Sequence, residues 1–277
     1  SGLGILDGFT DGSFQPEGTL TRAQAAKIVA IVHNAATNKK IQSDIADLYK
    51  NAQNSFVDCN GSWALPYINY CRITGLADGM TVTTYEPNRV LTGVQFLKLM
   101  LTTLGFDTAK EGYTGTGWDI NVLNRANEIG LTAGLADGWQ GIKELKRGEA
   151  AQILYNALTK YLVEYGQLIK IDSVAGTYKN AFVSNEHVAQ SGYTLGAKMG
   201  ITITRATDDY RRPGYAWSYG TWKAFYMDTP VATYTAPTTE CEVLKAFGVA
   251  ETKNAAAKTL VLNGGDGKLM GKGEALN

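Results

Sequence analysis

Histidine, cysteine and net charge are all scarce in this chain, and each shortage argues against a class of function. The 277 residues include 2 His and 3 Cys, and Lys plus Arg equals Asp plus Glu at 26 each. His33 and His187 lie far apart in the sequence and belong to no catalytic-triad or metal-ligand pattern. A net charge of zero offers no electrostatic basis for binding nucleic acid or an anionic membrane. The sequence therefore predicts a protein that is not an enzyme and has no metal, no cofactor and no nucleic-acid partner.

The cysteine pattern predicts neither a disulfide framework nor a metal site. Cys59, Cys71 and Cys241 are odd in number and include no C-x-x-C spacing. Cys59 and Cys71 are expected on one helix, where their sequence separation corresponds to about 18 Å, too far for a disulfide bond. All three are predicted to serve as small apolar residues.

Long apolar runs are also missing from the sequence. No stretch reaches the ~18 apolar residues that cross a bilayer as a helix, so no membrane span is predicted. The first residues do not form a signal peptide, because the chain begins inside a repeated motif. We therefore expect a mature or trimmed fragment whose first repeat is truncated at its start.

A short motif present in three copies organises the first part of the chain. Each copy has a Gly-x-x-Asp-Gly loop followed by a helix with an apolar face, and the loops are residues 8–12, 75–79 and 134–138. Glycine permits a positive φ, and the Asp side chain can bond the backbone just after it. The three loop aspartates, Asp11, Asp78 and Asp137, are therefore interpreted as turn residues.

The helix after each loop has its own start signal. Thr21-x-x-Gln24 and Thr92-x-x-Gln95 each fit a capping box, in which the hydroxyl and the amide satisfy unpaired backbone donors. The third copy has Lys146 in the place of the Thr, although it keeps Glu149 three positions later.

These residues resemble the surface-layer homology (SLH) module. The hallmark of that family is a Gly-x-x-Asp-Gly-x-Phe-x-Pro loop that leads into Thr-Arg-Ala-Glu. The first copy carries this loop and the run Thr21-Arg22-Ala23-Gln24, with Gln24 in the place of Glu. The second copy has Gly93 where the Arg belongs, and the third keeps Arg147. The resemblance covers roughly the first 165 residues.

The predicted fold class is α+β and multidomain. The resemblance implies an N-terminal all-α SLH bundle with pseudo-threefold symmetry. Its parts are repeat 1 with a connecting helix at 1–54, repeat 2 at 55–107 and repeat 3 at 108–164. Residues 165–277 are predicted to form a mostly β domain with one short helix.

The predicted elements follow the periodicity of the apolar residues. Helices are expected to end at Gly75, Gly105, Gly130 and Leu162. Strands are expected at 167–171, 200–204, on both sides of Gly220, at 230–235 and at 258–262. The short helix is expected from Thr239 to Gly248, and a tight turn at 263–267.

The resemblance also implies a binding site. Grooves between SLH modules bind a secondary cell-wall polysaccharide, which often carries a pyruvylated sugar. Arg22 and Arg147 are implied to contact its carboxylate, because a guanidinium recognises a carboxylate at two points and a helix N-terminus favours anions. Gly93 removes this Arg from the middle copy, so at most two good grooves are expected.

Other candidate residues keep two interpretations. Asp58 is either a helix cap or a groove residue, and Trp63 either stacks on a sugar ring or belongs to the core. The aromatic cluster between residues 210 and 226 either packs one face of a sheet or forms a sugar-binding or protein-binding surface.

The main hypothesis is a non-catalytic, secreted protein anchored to the bacterial cell wall by SLH modules that bind secondary cell-wall polysaccharide. The alternative is a structural subunit of a surface homo-oligomer, lattice or filament, with the repeats acting as packing units. A third hypothesis is the anchoring part of an enzyme whose catalytic domain lies outside these residues.

Overall fold

The computed structural model describes residues 3–38, 41, 45–54, 56–165, 168–174, 177–183, 187–208, 211, 213–227, 232–235 and 259–262. The chain divides into two compact units, residues 1–200 and residues 201–277.

The helices in the described part of the chain lie in the first unit. In chain order its elements are α1 Arg22–Asn38, α2 Ile45–Tyr49, a 3₁₀ turn Val57–Cys59, α3 Leu65–Ile73, α4 Gly93–Thr103, α5 Trp118–Glu128, α6 Arg147–Leu158, β1 Tyr161–Tyr165, β2 Leu168–Val174, β3 Thr177–Val183, β4 His187–Thr194 and α7 Leu195–Lys198. None of the helices in the described part of the chain is both long and apolar enough to cross a membrane.

The capping residues start the repeat helices as the sequence predicts. Thr92 N–H donates to Gln95 Oε1 at 3.0 Å, and Gln95 N–H donates to Thr92 Oγ1 at 3.5 Å. Thr21 and Gln24 make the same pair of bonds before α1. At α6 only half of the box forms, because a Lys side chain has no acceptor: Lys146 N–H donates to Glu149 at 2.9 Å.

Three buried leucines join the repeats in a closed cycle of backbone hydrogen bonds. Leu20 N–H donates to Leu145 C=O at 3.0 Å, Leu145 N–H to Leu91 C=O at 3.0 Å, and Leu91 N–H to Leu20 C=O at 3.1 Å. Each leucine precedes one of the helices α1, α4 and α6, so the cycle gathers the three helix starts. The pseudo-threefold symmetry of the whole bundle stays a prediction.

Each of these helices also begins on the loop of another repeat. Ala23 N–H at the start of α1 donates to Pro87 C=O at 2.9 Å, and Val94 N–H in α4 donates to Gly141 C=O at 2.7 Å. Gly148 N–H in α6 donates to Pro16 C=O at 2.8 Å. The first amides of a helix have no partner within the helix, and here the neighbouring loops provide one.

The same contacts correct the predicted alignment of the loops. Gly75 follows α3 with φ +71°, and the residues that match it are Gly4 with φ +68° and Gly130 with φ +73°. Leu76 N–H bonds Cys71 C=O as Leu131 N–H bonds Ala126 C=O. The segments equivalent to 75–79 are therefore 4–8 and 130–134, and the predicted matches 8–12 and 134–138 are wrong by four residues. Asp11 is a turn residue as predicted, since its carboxylate accepts from Ser13 N–H at 2.9 Å.

Two other expectations for the first unit are wrong. Helix α6 ends at Leu158 rather than at Leu162, because Tyr161 begins β1 and pairs with Thr194 of β4 in an antiparallel ladder. Cys59 and Cys71 do not share a helix, since Cys59 closes the 3₁₀ turn and Cys71 lies in α3. Both are free and buried, as small apolar residues would be, and Cys241 lies outside the described residues.

The strands of the first unit pair in two antiparallel ladders. Strand β1 pairs with β4, and β2 pairs with β3 from Leu168 opposite Val183 to Val174 opposite Thr177. Strands β3 and β4 were not predicted from the sequence.

The elements that the structure describes in the second unit are strands. They are β5 Thr202–Thr207, β6 Pro213–Tyr219, β7 Trp222–Met227, β8 Ala232–Thr235 and β9 Thr259–Leu262. Strands β5, β6 and β7 form one antiparallel sheet, and β8 pairs with β9. The two strands predicted around Gly220 are confirmed, and this glycine has φ +56° in the turn between them. In β6 Trp217 is buried whereas Tyr215 is exposed.

The predicted helix at 239–248 and the predicted turn at 263–267 lie outside the described residues. The predicted α+β class is confirmed by the helices of the first unit and the antiparallel strands of both.

Candidate functional site

Two clefts in the first unit lie where the start of one repeat helix meets the loop and the helix of another repeat. Cleft A, of ≈ 210 Å³, is lined by Arg22, the loop 75–79, Gln95, Lys98 and Trp118. Cleft B, of ≈ 180 Å³, is lined by Arg147, the segment 5–9, Gln24, Lys27 and Trp63. The two clefts therefore share four types of side chain: one Arg, one Gln, one Lys and one Trp.

The repeat explains why this set occurs twice. Gln24 and Lys27 occupy the positions in α1 that Gln95 and Lys98 occupy in α4. Lys27 follows Arg22 by five residues, which turns it by about 140° around a helix with 3.6 residues per turn. Helix α1 therefore presents Arg22 to cleft A and Lys27 to cleft B.

Arg22 is held at the wall of cleft A by neutral groups. Its Nε donates to Tyr85 C=O at 2.8 Å, its Nη2 donates to Asp78 C=O at 3.2 Å, and the guanidinium lies 4.4 Å from the centroid of the Tyr85 ring. No ion pair found among the described residues includes Arg22. Because a guanidinium has five N–H donors, three of them remain for a ligand.

Arg147 has the equivalent position in cleft B and is more enclosed. Its Nε donates to Phe14 C=O at 3.0 Å and its Nη2 to Asp7 C=O at 2.6 Å. The guanidinium lies 4.8 Å from the centroid of Phe9 and 5.0 Å from that of Phe14. The residue is 4% exposed, and this burial lowers the pKa of Arg147, although an arginine stays charged at any physiological pH.

The two lysines differ in their partners. Lys27 Nζ forms an ion pair with Asp7 Oδ2 at 2.7 Å. Lys98 Nζ lies 5.4 Å from the centroid of the Trp118 ring, and within the described part of the chain it belongs to no ion pair. Partial burial lowers the pKa of Lys98, while the charge of Asp78 acts in the opposite direction.

The third junction between repeats has lost both cations. Gly93 stands where Arg22 and Arg147 stand in the other copies, and Gln152 stands where the lysines stand. A Cβ atom on Gly93 would lie 2.3 Å from Cζ2 of Trp139, so the indole ring fills the space of the missing side chain. Trp139 occupies the position of Tyr85 in its own repeat, two residues before Gly141, which aligns with Pro87.

The predicted site residues are only partly brought together. Arg22 lines cleft A, whereas Arg147 and Trp63 line cleft B. Trp63 is 58% exposed, which fits a cleft wall better than the core interpretation. Lys27, Lys98 and Trp118 were not predicted as site residues, although a Lys six positions after each capping Thr is a signal that the sequence contains.

Asp58 lines neither cleft and binds backbone amides instead. Its Oδ1 accepts from Tyr85 N–H at 3.0 Å, and its Oδ2 accepts from Glu86 N–H at 2.7 Å. Desolvation of the carboxylate opposes its ionisation, but the hydrogen bonds from these two amides outweigh it and lower the pKa of Asp58. Asp58 therefore holds the loop that provides Tyr85 C=O to Arg22, and its direct contact with a ligand stays a prediction.

The chemistry of the two clefts suits an acidic sugar. A guanidinium and an ammonium bind carboxylate oxygens, a glutamine side chain can donate or accept, and an indole offers a flat apolar face. The residues that the structure describes contain no group of three or more His, Cys, Asp or Glu side chains that could hold a metal ion.

Comparison with known proteins identifies the same family as the repeated motif. Residues 1–26 match the S-layer homology domain. The S-layer protein Sap of Bacillus anthracis is 31% identical over 159 residues, which are 54% of this chain and 18% of that protein. A cell surface protein of Thermoanaerobacter kivui is 31% identical over 165 residues, which are 59% of this chain and 19% of that protein.

An enzyme is also among the relatives. A protein of Bacillus anthracis named as an uncharacterized cell wall amidase is 26% identical over 156 residues, which are 54% of this chain and 27% of that protein. The chain spans less than a third of the length of each of these three relatives.

The resemblance inferred from the repeated motif is confirmed: residues 1–26 match the SLH domain, and a relative named as an S-layer protein matches 54% of the chain. Its relatives indicate a secreted protein that is associated with the bacterial cell surface and cell wall, as the sequence predicted. The family match covers residues 1–26 alone, so the count of three repeats stays a prediction.

Proposed function

We propose that this chain anchors a surface protein to the cell wall by binding an acidic secondary cell-wall polysaccharide in clefts A and B. The observation that carries the proposal is the repeated set of Arg, Gln, Lys and Trp in two clefts of one unit. Repetition of the sequence alone does not preserve this set, because the third junction has Gly93 and Gln152 at the equivalent positions.

The arginine geometry supports a carboxylate-bearing ligand. Arg22 is oriented by two carbonyl oxygens and a Tyr ring, so its charge is held in place without being neutralised. A bound carboxylate would receive charge-assisted hydrogen bonds from it. Loss of such a contact costs roughly 1.5–3 kcal/mol, which corresponds to a ten- to hundredfold loss of affinity.

The test is co-sedimentation with purified cell-wall sacculi, before and after chemical removal of pyruvyl groups. Arg22→Ala should lower the affinity about tenfold or more, and removal of the pyruvyl groups should have a similar effect. Arg89→Ala is the matched control, because Arg89 pairs with Glu86 on the surface and lines neither cleft. Binding that survives both treatments unchanged would refute the proposal.

A structural role is the second candidate, and the closed third junction favours it. There the Trp139 ring packs on Gly93, so no space remains at that position for a side chain that could contact a ligand. If the repeats serve only as packing units of a homo-oligomer or lattice, the protein should show no affinity for sacculi and a particle size that rises with concentration. Analytical ultracentrifugation over a hundredfold concentration range distinguishes the two functions.

The chain is proposed to be non-catalytic. The similarity to an amidase fits an SLH segment that is shared between surface proteins and wall enzymes. Hydrolysis of cell-wall polymer by the isolated chain would contradict this part of the proposal.

A further inference from the structure

Clefts A and B share an Arg, a Gln, a Lys and a Trp, and each also has an aspartate at the equivalent position. The two aspartates differ in the ion pairs that their side chains form. Asp7 in cleft B and Asp78 in cleft A occupy equivalent positions, and the backbone C=O of each accepts a hydrogen bond from the arginine of its cleft. The side chains differ, because Asp7 Oδ2 pairs with Lys27 Nζ at 2.7 Å whereas the structure shows no ion pair between Asp78 and Lys98.

The arginine of cleft B is also more enclosed than the arginine of cleft A. Arg147 lies between the rings of Phe9 and Phe14 and is 4% exposed. Arg22 contacts one ring, that of Tyr85, and is half-buried. The residue that corresponds to Phe9 in cleft A is Met80, which is 39% exposed and does not line the cleft.

Both differences affect how strongly each cleft would bind a carboxylate. A carboxylate that enters cleft A meets an arginine and a lysine whose charges are not neutralised by an ion pair. A carboxylate that enters cleft B meets a lysine already paired with Asp7 and an arginine enclosed by two rings. To use Lys27 it must displace the Asp7 carboxylate, which has the same charge and binds the same ammonium.

We infer that the two clefts are unequal, with cleft A the stronger site for an acidic sugar and Asp7 an internal competitor that weakens cleft B. This inference rests on the proposed function and adds the residue that sets the relative affinity of the sites. The chain then has one strong and one weak attachment point rather than two equal ones.

The expected size of the effect follows from the exposure of the pair. The side chains of Lys27 and Asp7 are 30% and 55% exposed, so their ion pair is partly screened by water. Exposed pairs contribute 0.2–1 kcal/mol in double-mutant cycles, and release from such a pair corresponds to about a 1.4- to fivefold gain in affinity. Enclosure of Arg147 should add to the difference between the clefts in the unchanged protein.

The two tryptophans allow each cleft to be measured separately. We suggest ¹⁹F NMR of the full chain labelled with 5-fluorotryptophan, with the Trp63 and Trp118 signals assigned from Trp63→Phe and Trp118→Phe. The probe is a methyl hexosaminide that carries a pyruvate ketal, and the control probe is the same glycoside without the ketal. Asp7→Asn removes the charge while keeping the shape, and Asp78→Asn is the matched variant in cleft A.

The expected result is that the Trp118 signal shifts at a lower probe concentration than the Trp63 signal. In Asp7→Asn the midpoint of the Trp63 signal, which is the probe concentration at half-maximal shift, should fall about 1.4- to fivefold, while that of the Trp118 signal stays unchanged. Asp78→Asn should change the midpoint of the Trp118 signal only slightly. This change should be smaller than the change that Asp7→Asn causes in the midpoint of the Trp63 signal.

Three other results would overturn the inference, and they are distinguishable. Equal midpoints at both tryptophans would refute the inequality of the clefts. A Trp63 midpoint unmoved by Asp7→Asn would refute the role of Asp7 as a competitor, and both results would leave the proposed function intact. No shift of either signal with the ketal probe would refute the proposed function together with the inference.

Discussion

Cleft A and the closed junction at Gly93 have equivalent backbone hydrogen bonds. Cleft A is open, whereas the Trp139 ring fills the junction at Gly93. In both, the first amides of a repeat helix donate to the loop of another repeat, and a buried leucine joins the hydrogen-bonded cycle. The difference lies in the side chains, because cleft A has Arg22 and Lys98 whereas the closed junction has Gly93 and Gln152. The comparison teaches that backbone hydrogen bonds and buried leucines form the scaffold, while a few cleft residues decide whether a junction can bind a ligand.

The largest expected effect tests the shared scaffold. Leu20→Ala, Leu91→Ala and Leu145→Ala should each lower the free energy of unfolding by about 2–5 kcal/mol, because each leucine is buried and its loss leaves a cavity. Urea denaturation followed by circular dichroism measures the change. A much smaller loss for Leu145→Ala would show that the third repeat does not share the scaffold equally.

A smaller effect is expected at the closed junction. Gly93→Ala should lower the free energy of unfolding by about 1–3 kcal/mol, since the new methyl group would overlap the Trp139 ring. The control is the same substitution in a Trp139→Ala background, where the overlap is gone and Ala in a helix is favoured over Gly by up to about 1 kcal/mol. An equal loss of stability in both backgrounds would disprove the packing of Trp139 against Gly93.

The smallest effect concerns the loop that orients Arg22. Asp58→Asn should lower the free energy of unfolding at pH 7 by about 1 kcal/mol, because the lost charged hydrogen bonds are exposed and screened. The pKa of Asp58 is lowered in the folded state, so its contribution is fully present above the unfolded pKa of about 3.9. It is lost as the pH falls through the lower folded pKa.

Thermal unfolding of the wild type and of Asp58→Asn from pH 7 to pH 2 checks this sign. The two curves should differ at neutral pH and converge in acid. A difference that grows as the pH falls would contradict the assignment of Asp58 as an anionic acceptor of the Tyr85 and Glu86 amides.

Local sequence patterns were sufficient for much of the first unit. The Thr-x-x-Gln boxes placed the starts of α1 and α4 correctly, because capping involves residues three positions apart. Glycines after the apolar runs placed the ends of α3, α4 and α5 within two residues. The motif around Arg22 was also sufficient for the SLH assignment, which the family match confirms.

Patterns that depend on distant residues misled the prediction. Residues 159–162 continue the apolar periodicity of α6, but Tyr161 pairs with Thr194, and that partner is remote in the sequence. The loop alignment failed because 8–12 repeats the Gly-x-x-Asp-Gly letters of 75–79 while 4–8 takes their place in the fold. Short glycine motifs recur by chance, and tertiary contacts such as those of Arg22 with Asp78 C=O and of Arg147 with Asp7 C=O distinguish them.

The sequence by itself determined the starts of α1 and α4 and the resemblance to the SLH family, because these depend on neighbouring residues and on a local motif. Only the tertiary structure decided which residues meet. Arg22 shares cleft A with Lys98 from another helix, Lys27 is paired with Asp7, and Trp139 fills the space beside Gly93. Each of these contacts joins parts of the chain that are brought together by the docking of helix starts on the loops of other repeats, and no local pattern records that docking.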